Sequence, residues 1–230
     1  MRATALRTIA LVGLVSGPAM AQNRAVTIAV LPFEDRGSYG QDKDVFRGLA
    51  LGIPATLIRE LSGHPELRLA DRNQVAQALK GENLGPNARV DAATAARVGK
   101  QVGARYAVTG NFADFYGRFR LDARIVETET GEIAKVVSNN DPALQDRASL
   151  YRIIQMVAHG VLQETTNGAA RPGNAEGENI PTDALSQYSL GLLYESQGEG
   201  SKAGEHYQRA LSAMPGYRDA REGIQRVRGR

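Results

Sequence analysis

The chain has 230 residues, 42% of them hydrophobic and 23% charged, which suits one good core or two small ones and is too apolar for a disordered chain. It holds no cysteine and no tryptophan. That excludes a disulfide framework, a zinc–thiolate site, a thiol nucleophile, an acylated amino-terminal cysteine and a Trp-centred cage.

Residues 1–21 read as a secretory signal. Arg2 and Arg7 make the positive start, residues 9–15 an apolar run, and Ala19-Met20-Ala21 a small-x-small cleavage box. The run is far shorter than the roughly 20 residues of a membrane helix, and Gly13, Ser16 and Gly17 interrupt it. Cleavage after Ala21 would lower the basic residues from 28 to 26 against 25 acidic ones, so no charge argument for nucleic acid remains. An exported chain with no lipid anchor is expected.

Residues 26–31 are continuously apolar and β-branched, as in a strand buried on both faces, and Pro32 is expected to end it. A polar loop, 35–44, leads to Phe46, Leu49, Ala50, Ile53, Leu57 and Leu61 at helical spacing, with Asp42 or Asp44 as cap and Pro54 inside. A short strand at 67–70 precedes a helix capped by Asp71, and Asp91 caps another over about 92–102. Residues 106–116 and 118–127 form a hairpin around Gly117. The second strand sets Phe119, Leu121, Ala123 and Ile125 on one face and Arg118, Arg120, Asp122 and Arg124 on the other. A third strand, 133–138, and a helix over about 148–163 complete an α/β sandwich with a mixed sheet.

Residues 164–181, rich in Gly, Asn, Pro and Thr, read as a linker between this domain, 22–163, and a helical region, 182–230. That region predicts helices over 182–197, 201–214 and 218–228, the last with a basic tail of Arg221, Arg226, Arg228 and Arg230. Leu190, Gly191, Tyr194, Ala203, Tyr207, Ala210 and Pro215 keep the spacing of a tetratricopeptide (TPR) repeat, with Gln187 where the pattern has Trp. This region resembles one such repeat with a capping helix. Gly191, Ala203 and Ala210 would let the helices approach while Tyr194 and Tyr207 fill the seam. Tyr188, Leu192, Glu195 and Arg221 are the expected partner-binding surface. The two regions are expected to unfold separately.

The runs Thr27-Ile28-Ala29-Val30-Leu31-Pro32-Phe33, Leu67-Arg68-Leu69-Ala70-Asp71-Arg72, Val102-Gly103-Ala104-Arg105-Tyr106 and Glu127-Thr128-Glu129-Thr130-Gly131-Glu132 occur in this order within residues 26–163. On them the first domain resembles the CsgG-like and TolB amino-terminal-like domains. The resemblance implies a mixed-sheet α/β sandwich in the bacterial envelope that binds other proteins and carries no catalytic residues. Partners would be envelope proteins or a second copy, in the periplasm, with at most peripheral outer-membrane association. Two features depart from the family: this chain lacks the acylated cysteine of the curli-channel branch, and it has helices where TolB has a propeller.

An enzyme is not expected. His64, His159 and His206 stand in different elements and look like surface histidines. No phosphate loop, nucleophile elbow or dinucleotide fingerprint is present, and Asp35, Asp42 and Asp44 miss the calcium-loop spacing. No cofactor or metal is expected. A curli-type channel subunit would need residues 106–127 to cross a membrane, but Asp114 breaks one apolar row. A small-ligand sensor is the third reading.

Overall fold

Ile28 to Phe33 are consecutively buried in β1 (Val26–Asp35), as a strand covered on both faces requires. Pro32 does not end this strand. The ladder to β3 (Tyr106–Phe115) shifts register between Val30 and Phe33, so the residue without an N–H falls in the irregularity. Thr109 Oγ1 donates to the Pro32 carbonyl at 2.9 Å. The structure, a computed structural model, describes residues 25–40, 43–85, 88–168 and 179–229. The expected signal and Asp42 lie outside them, as does the middle of the expected linker.

β2 (Leu67–Leu69) and β3 flank β1 in parallel, and β4 (Arg118–Glu127) and β5 (Ile133–Ser138) continue antiparallel, giving the mixed order β2-β1-β3-β4-β5. Side chains alternate across β1. Ile28, Val30 and Phe33 pack with Leu49, Ile53 and Leu57 of α1 (Lys43–Leu61) and with Ile154 and Val157 of α4 (Leu150–Thr165). Ala29 and Leu31 pack the other way, against α2 (Arg72–Gly81) and α3 (Ala92–Gln101). Both smaller helices start as their sequences indicate. Asp71 accepts from the N–H groups of Asn73 and Gln74, and Asp91 from that of Thr94.

The helices α5 (Thr182–Ser196), α6 (Gly200–Ala213) and α7 (Arg218–Arg228) form no separate lobe. α5 lies on α1 so closely that a Cβ on Gly52 would stand 1.8 Å from Ser189 Oγ, and one on Gly48 2.9 Å from the Ser189 carbonyl carbon. α1 is therefore covered by the sheet on one side and by α5 on the other. Leu185, Tyr188, Leu192 and Tyr217 belong to the same continuous core as Phe33 and Leu121. Arg59 at the end of α1 ties the layers together. It donates to Glu60 and to the Tyr151 hydroxyl of α4, at 2.7 Å, and lies 3.7 Å from Asp219 of α7. Burial, opposed by Arg59, pushes the Tyr151 hydroxyl up to about 12.

The ends of the expected linker are packed. Thr165 and Thr166 are buried and donate to the carbonyls of Val161 and Leu162, and Ile180 is buried in the core.

Candidate protein-docking face

The strict alternation in β4 decides what each side of the sheet can do. Phe119, Leu121, Ala123 and Ile125 are sealed under α1 and α4. Arg118, Arg120, Asp122 and Arg124 point to the opposite side, where α2 and α3 cover Ala29, Ala107 and Val126 but leave the β4–β5 part open. In register, Val136 stands beside Arg124 and Ile133 beside Val126, and both β5 side chains are about half exposed.

Positive charge outweighs negative on this open part. Arg120 forms a two-pronged pair with Asp122, both contacts 2.9 Å. Arg118 donates to the Gln145 side-chain carbonyl at 2.8 Å, with no carboxylate involved. Among the described residues Arg124 reaches the Val90 carbonyl, at 3.4 Å, and its buried Nε–H has no hydrogen-bond acceptor. The face thus combines exposed β-branched carbons with the exposed arginines Arg118 and Arg120 and the half-buried Arg124.

At the β3–β4 end the sheet carries a tip of three aromatic rings, Tyr39 (57% exposed), Phe115 (50%) and Tyr116 (84%). Tyr116 and Gly117 both take positive φ, the two-residue turn that suits the strand twist. The loop 36–40 is strapped to this turn. The Tyr39 N–H donates to the Asp114 carbonyl at 2.7 Å, the Asp114 N–H to Ser38 Oγ at 2.9 Å, and Tyr39 bridges Phe115. The Tyr39 ring lies 5.9 Å from Phe115 and 6.3 Å from Tyr116. Asp114 is fully buried behind the tip. It accepts from the Gly117 N–H at 2.7 Å and pairs with Arg147 at 3.3 Å, so the residue that interrupts the apolar row is the one that fastens the turn. The sequence held a signal for this site: two aromatics at a hairpin turn where polar residues are usual.

The expected surface of Tyr188, Leu192, Glu195 and Arg221 needs correction. Tyr188 and Leu192 are buried in the shared core, and Glu195 is held by Tyr207 and Arg226. Arg221 alone of the four is exposed. α1 covers Tyr188 and Leu192. Of the repeat-pattern residues, Gly191, Ala203, Tyr207 and Ala210 meet in the α5–α6 seam, where the Tyr207 ring is clamped between Gly191 and Gly223, and Leu190 is buried with its backbone against Gly48 of α1. Pro215 is exposed after α6. Tyr194, half-buried on α5, stacks on His206 of α6 at 5.1 Å. His206 is in turn not a plain surface histidine. Its Nδ1 lies 2.8 Å from Gln187 Oε1, and partial burial, with Arg209 nearby, holds its pKa below the usual value.

A cleft of about 210 Å³ between α1, α2, α5 and α7 is lined by Arg59, Arg72, Arg218 and Arg226, three of which pair with acids: Arg59 with Asp219, Arg218 with Glu222, Arg226 with Glu195. Among the described residues no three His, Asp or Glu side chains gather as a metal site. Among them, too, no helix is long and apolar enough to cross a membrane.

No family model matches the chain, and no curated protein matches it. Solved structures similar to it include the LpoB C-terminal domain from Escherichia coli, 19% identical, with 50% of this chain and 80% of that chain covered at a TM-score of 0.39. TolB from Acinetobacter baumannii is 16% identical over 70% of this chain and 30% of its own, at 0.39. Lipoprotein GNA1162 from Neisseria meningitidis is 14% identical over 60% and 96%, at 0.37.

Proposed function

We propose that this chain is a non-catalytic adaptor of the bacterial envelope, exported and cleaved after Ala21, that docks another protein on the open β4–β5 face of its sheet. The observation that carries this reading is the half-exposed pair Ile133 and Val136 on β5, with Val136 in register beside Arg124, and Arg120 and Arg118 further along the same face of β4, where Asp122 is the acid paired with Arg120. Arginine beside apolar side chains is the composition of protein interfaces, and the surplus positive charge selects an acidic partner surface. In this reading α5, α6 and α7 are a single TPR-like unit used inside the molecule, where it backs α1, rather than a groove for peptides.

The test is the pair Arg120→Glu with Val136→Glu. Both residues are exposed, so thermal stability should stay close to that of the parent chain. Recovery of a discrete envelope protein with the tagged chain should fall at least about tenfold, and binding by the parent should weaken with added salt. Unchanged recovery from the double variant would refute the docking face.

A further inference from the structure

We propose that the cleft between α1, α2, α5 and α7 binds a small oxyanion, a phosphate group or a carboxylate, held by the Arg72 guanidinium and the Tyr188 hydroxyl. This goes beyond the docking reading and does not rest on it, since no residue of β4 or β5 lines the cleft.

Net charge does not select the ligand, because acids stand among the arginines. The groups left without a partner select it. Arg59 takes two acids, Glu60 at 3.1 Å and Asp219 at 3.7 Å. Arg226 directs Nε and Nη2 at Glu195 and Nη2 also at the Tyr207 hydroxyl, which leaves Nη1 unused. Arg218 comes no closer than 3.6 Å to Glu222, too far for a hydrogen bond, and both side chains are largely exposed. Arg72, the first residue of α2, makes no hydrogen bond and no ion pair among the described residues. Each acid named has an arginine beside it, whereas one guanidinium has no acid. The unused capacity of the cleft is therefore that of N–H donors, which suits a planar carboxylate or a phosphate and not a cation.

Tyr188 is the second, independent sign of a ligand. It lines the cleft from α5 and is only 3% exposed, yet among the described residues its hydroxyl has no hydrogen-bond partner. A phenol buried to that degree ordinarily has one. Its ring is packed at 5.9 Å from Tyr207 and 5.2 Å from Tyr217, so the hydroxyl is held in place. Burial pushes this hydroxyl up to about 12, and it stays a donor at neutral pH. The α1 wall adds Ala55 and Ile58, whose carbons keep water from competing for the bond. At about 210 Å³ the cleft is smaller than the roughly 300–1,000 Å³ of pockets for larger ligands, so the ligand is little more than its anionic group.

The probes are inorganic phosphate and succinate, each titrated calorimetrically into the purified chain at constant ionic strength. The parent chain should bind at least one of them saturably, at one site per chain. Arg72→Gln and Tyr188→Phe should each weaken that binding about tenfold or more. Arg221→Gln, on the exposed side of α7 and outside the lining, should leave it unchanged. The melting temperature of Tyr188→Phe should stay close to that of the parent, since the hydroxyl it loses makes no bond within the described chain. Arg72 is exposed, so its variant reports on binding without touching the core. Heat from phosphate alone assigns a phosphate site and heat from succinate alone a carboxylate site, and either upholds the proposal. No saturable binding of either probe would overturn it, as would binding that both cleft variants leave intact. Capture of a protein that the cleft variants abolish, with neither anion bound by the parent, would give the cleft to protein docking and overturn it too. None of these variants touches the β4–β5 face, so failure here and failure of the docking reading are told apart.

Discussion

Ala203→Glu is expected to lower the stability of the whole chain by about 4 kcal/mol or more and to leave a single unfolding transition. Ala203 has no exposure and faces α5 from within α6. A carboxylate there would be buried without a designed partner, and the seam packs too tightly to let it out: the Tyr207 ring, one turn along α6, already touches Gly191. Damage at this seam loosens α5, and α5 covers α1 at Gly48 and Gly52. α1 in turn seals Ile28, Val30 and Phe33 of the sheet. Separate unfolding, which the sequence suggested for the two regions, would appear as two calorimetric transitions, with only the helical one shifted. A shared core predicts one transition, displaced to lower temperature.

Gly110→Val carries the second large effect, a loss of about 3 kcal/mol or more. Gly110 sits mid-strand in β3, in register with Phe33 on β1 and Ala123 on β4. A Cβ there would stand 2.3 Å from the Asp122 carbonyl oxygen and 2.4 Å from the Phe33 ring. The oxygen belongs to the neighbouring strand's backbone, so no rotamer change relieves the clash, and the ring fills the space that the missing side chain leaves. Chemical denaturation should show the midpoint falling steeply. A midpoint equal to that of the parent would mean that Phe33 does not lie over Gly110.

Much of this architecture can be read from residue order. An apolar run broken by a single threonine announces a strand covered twice, Asp71 and Asp91 announce helix starts, and the Arg/Phe alternation of β4 announces a sheet with one sealed and one outward face. The parts that escape are those decided by contacts between distant segments. Pro32 looks like a stop because a lost N–H is visible in sequence, whereas the register shift that absorbs it is set by β3 some 75 residues later. Tyr188 and Leu192 look available because a single repeat leaves apolar surface over, and residue order does not say whether the α/β domain, a second copy or a partner covers it. Yet Ala184, Leu185, Tyr188, Leu190, Leu192 and Leu193 spread around that helix, and an apolar surface on several sides means cover on several sides. The aromatic tip is assembled from loops far apart in the chain, Tyr39 meeting Phe115 and Tyr116, and only the Phe-Tyr-Gly turn itself shows in the order of residues. His206 escaped for the same reason, since its environment is made by Gln187 and Tyr194 from the facing helix.

Photo-crosslinking in living cells tests the docking face most directly. A photoreactive side chain placed at Val136, on the open half of the sheet, should give a discrete adduct with another protein. The same group at Arg221, exposed on α7, should give none. An adduct from Arg221 together with silence at Val136 would contradict the account and return partner binding to the helical region.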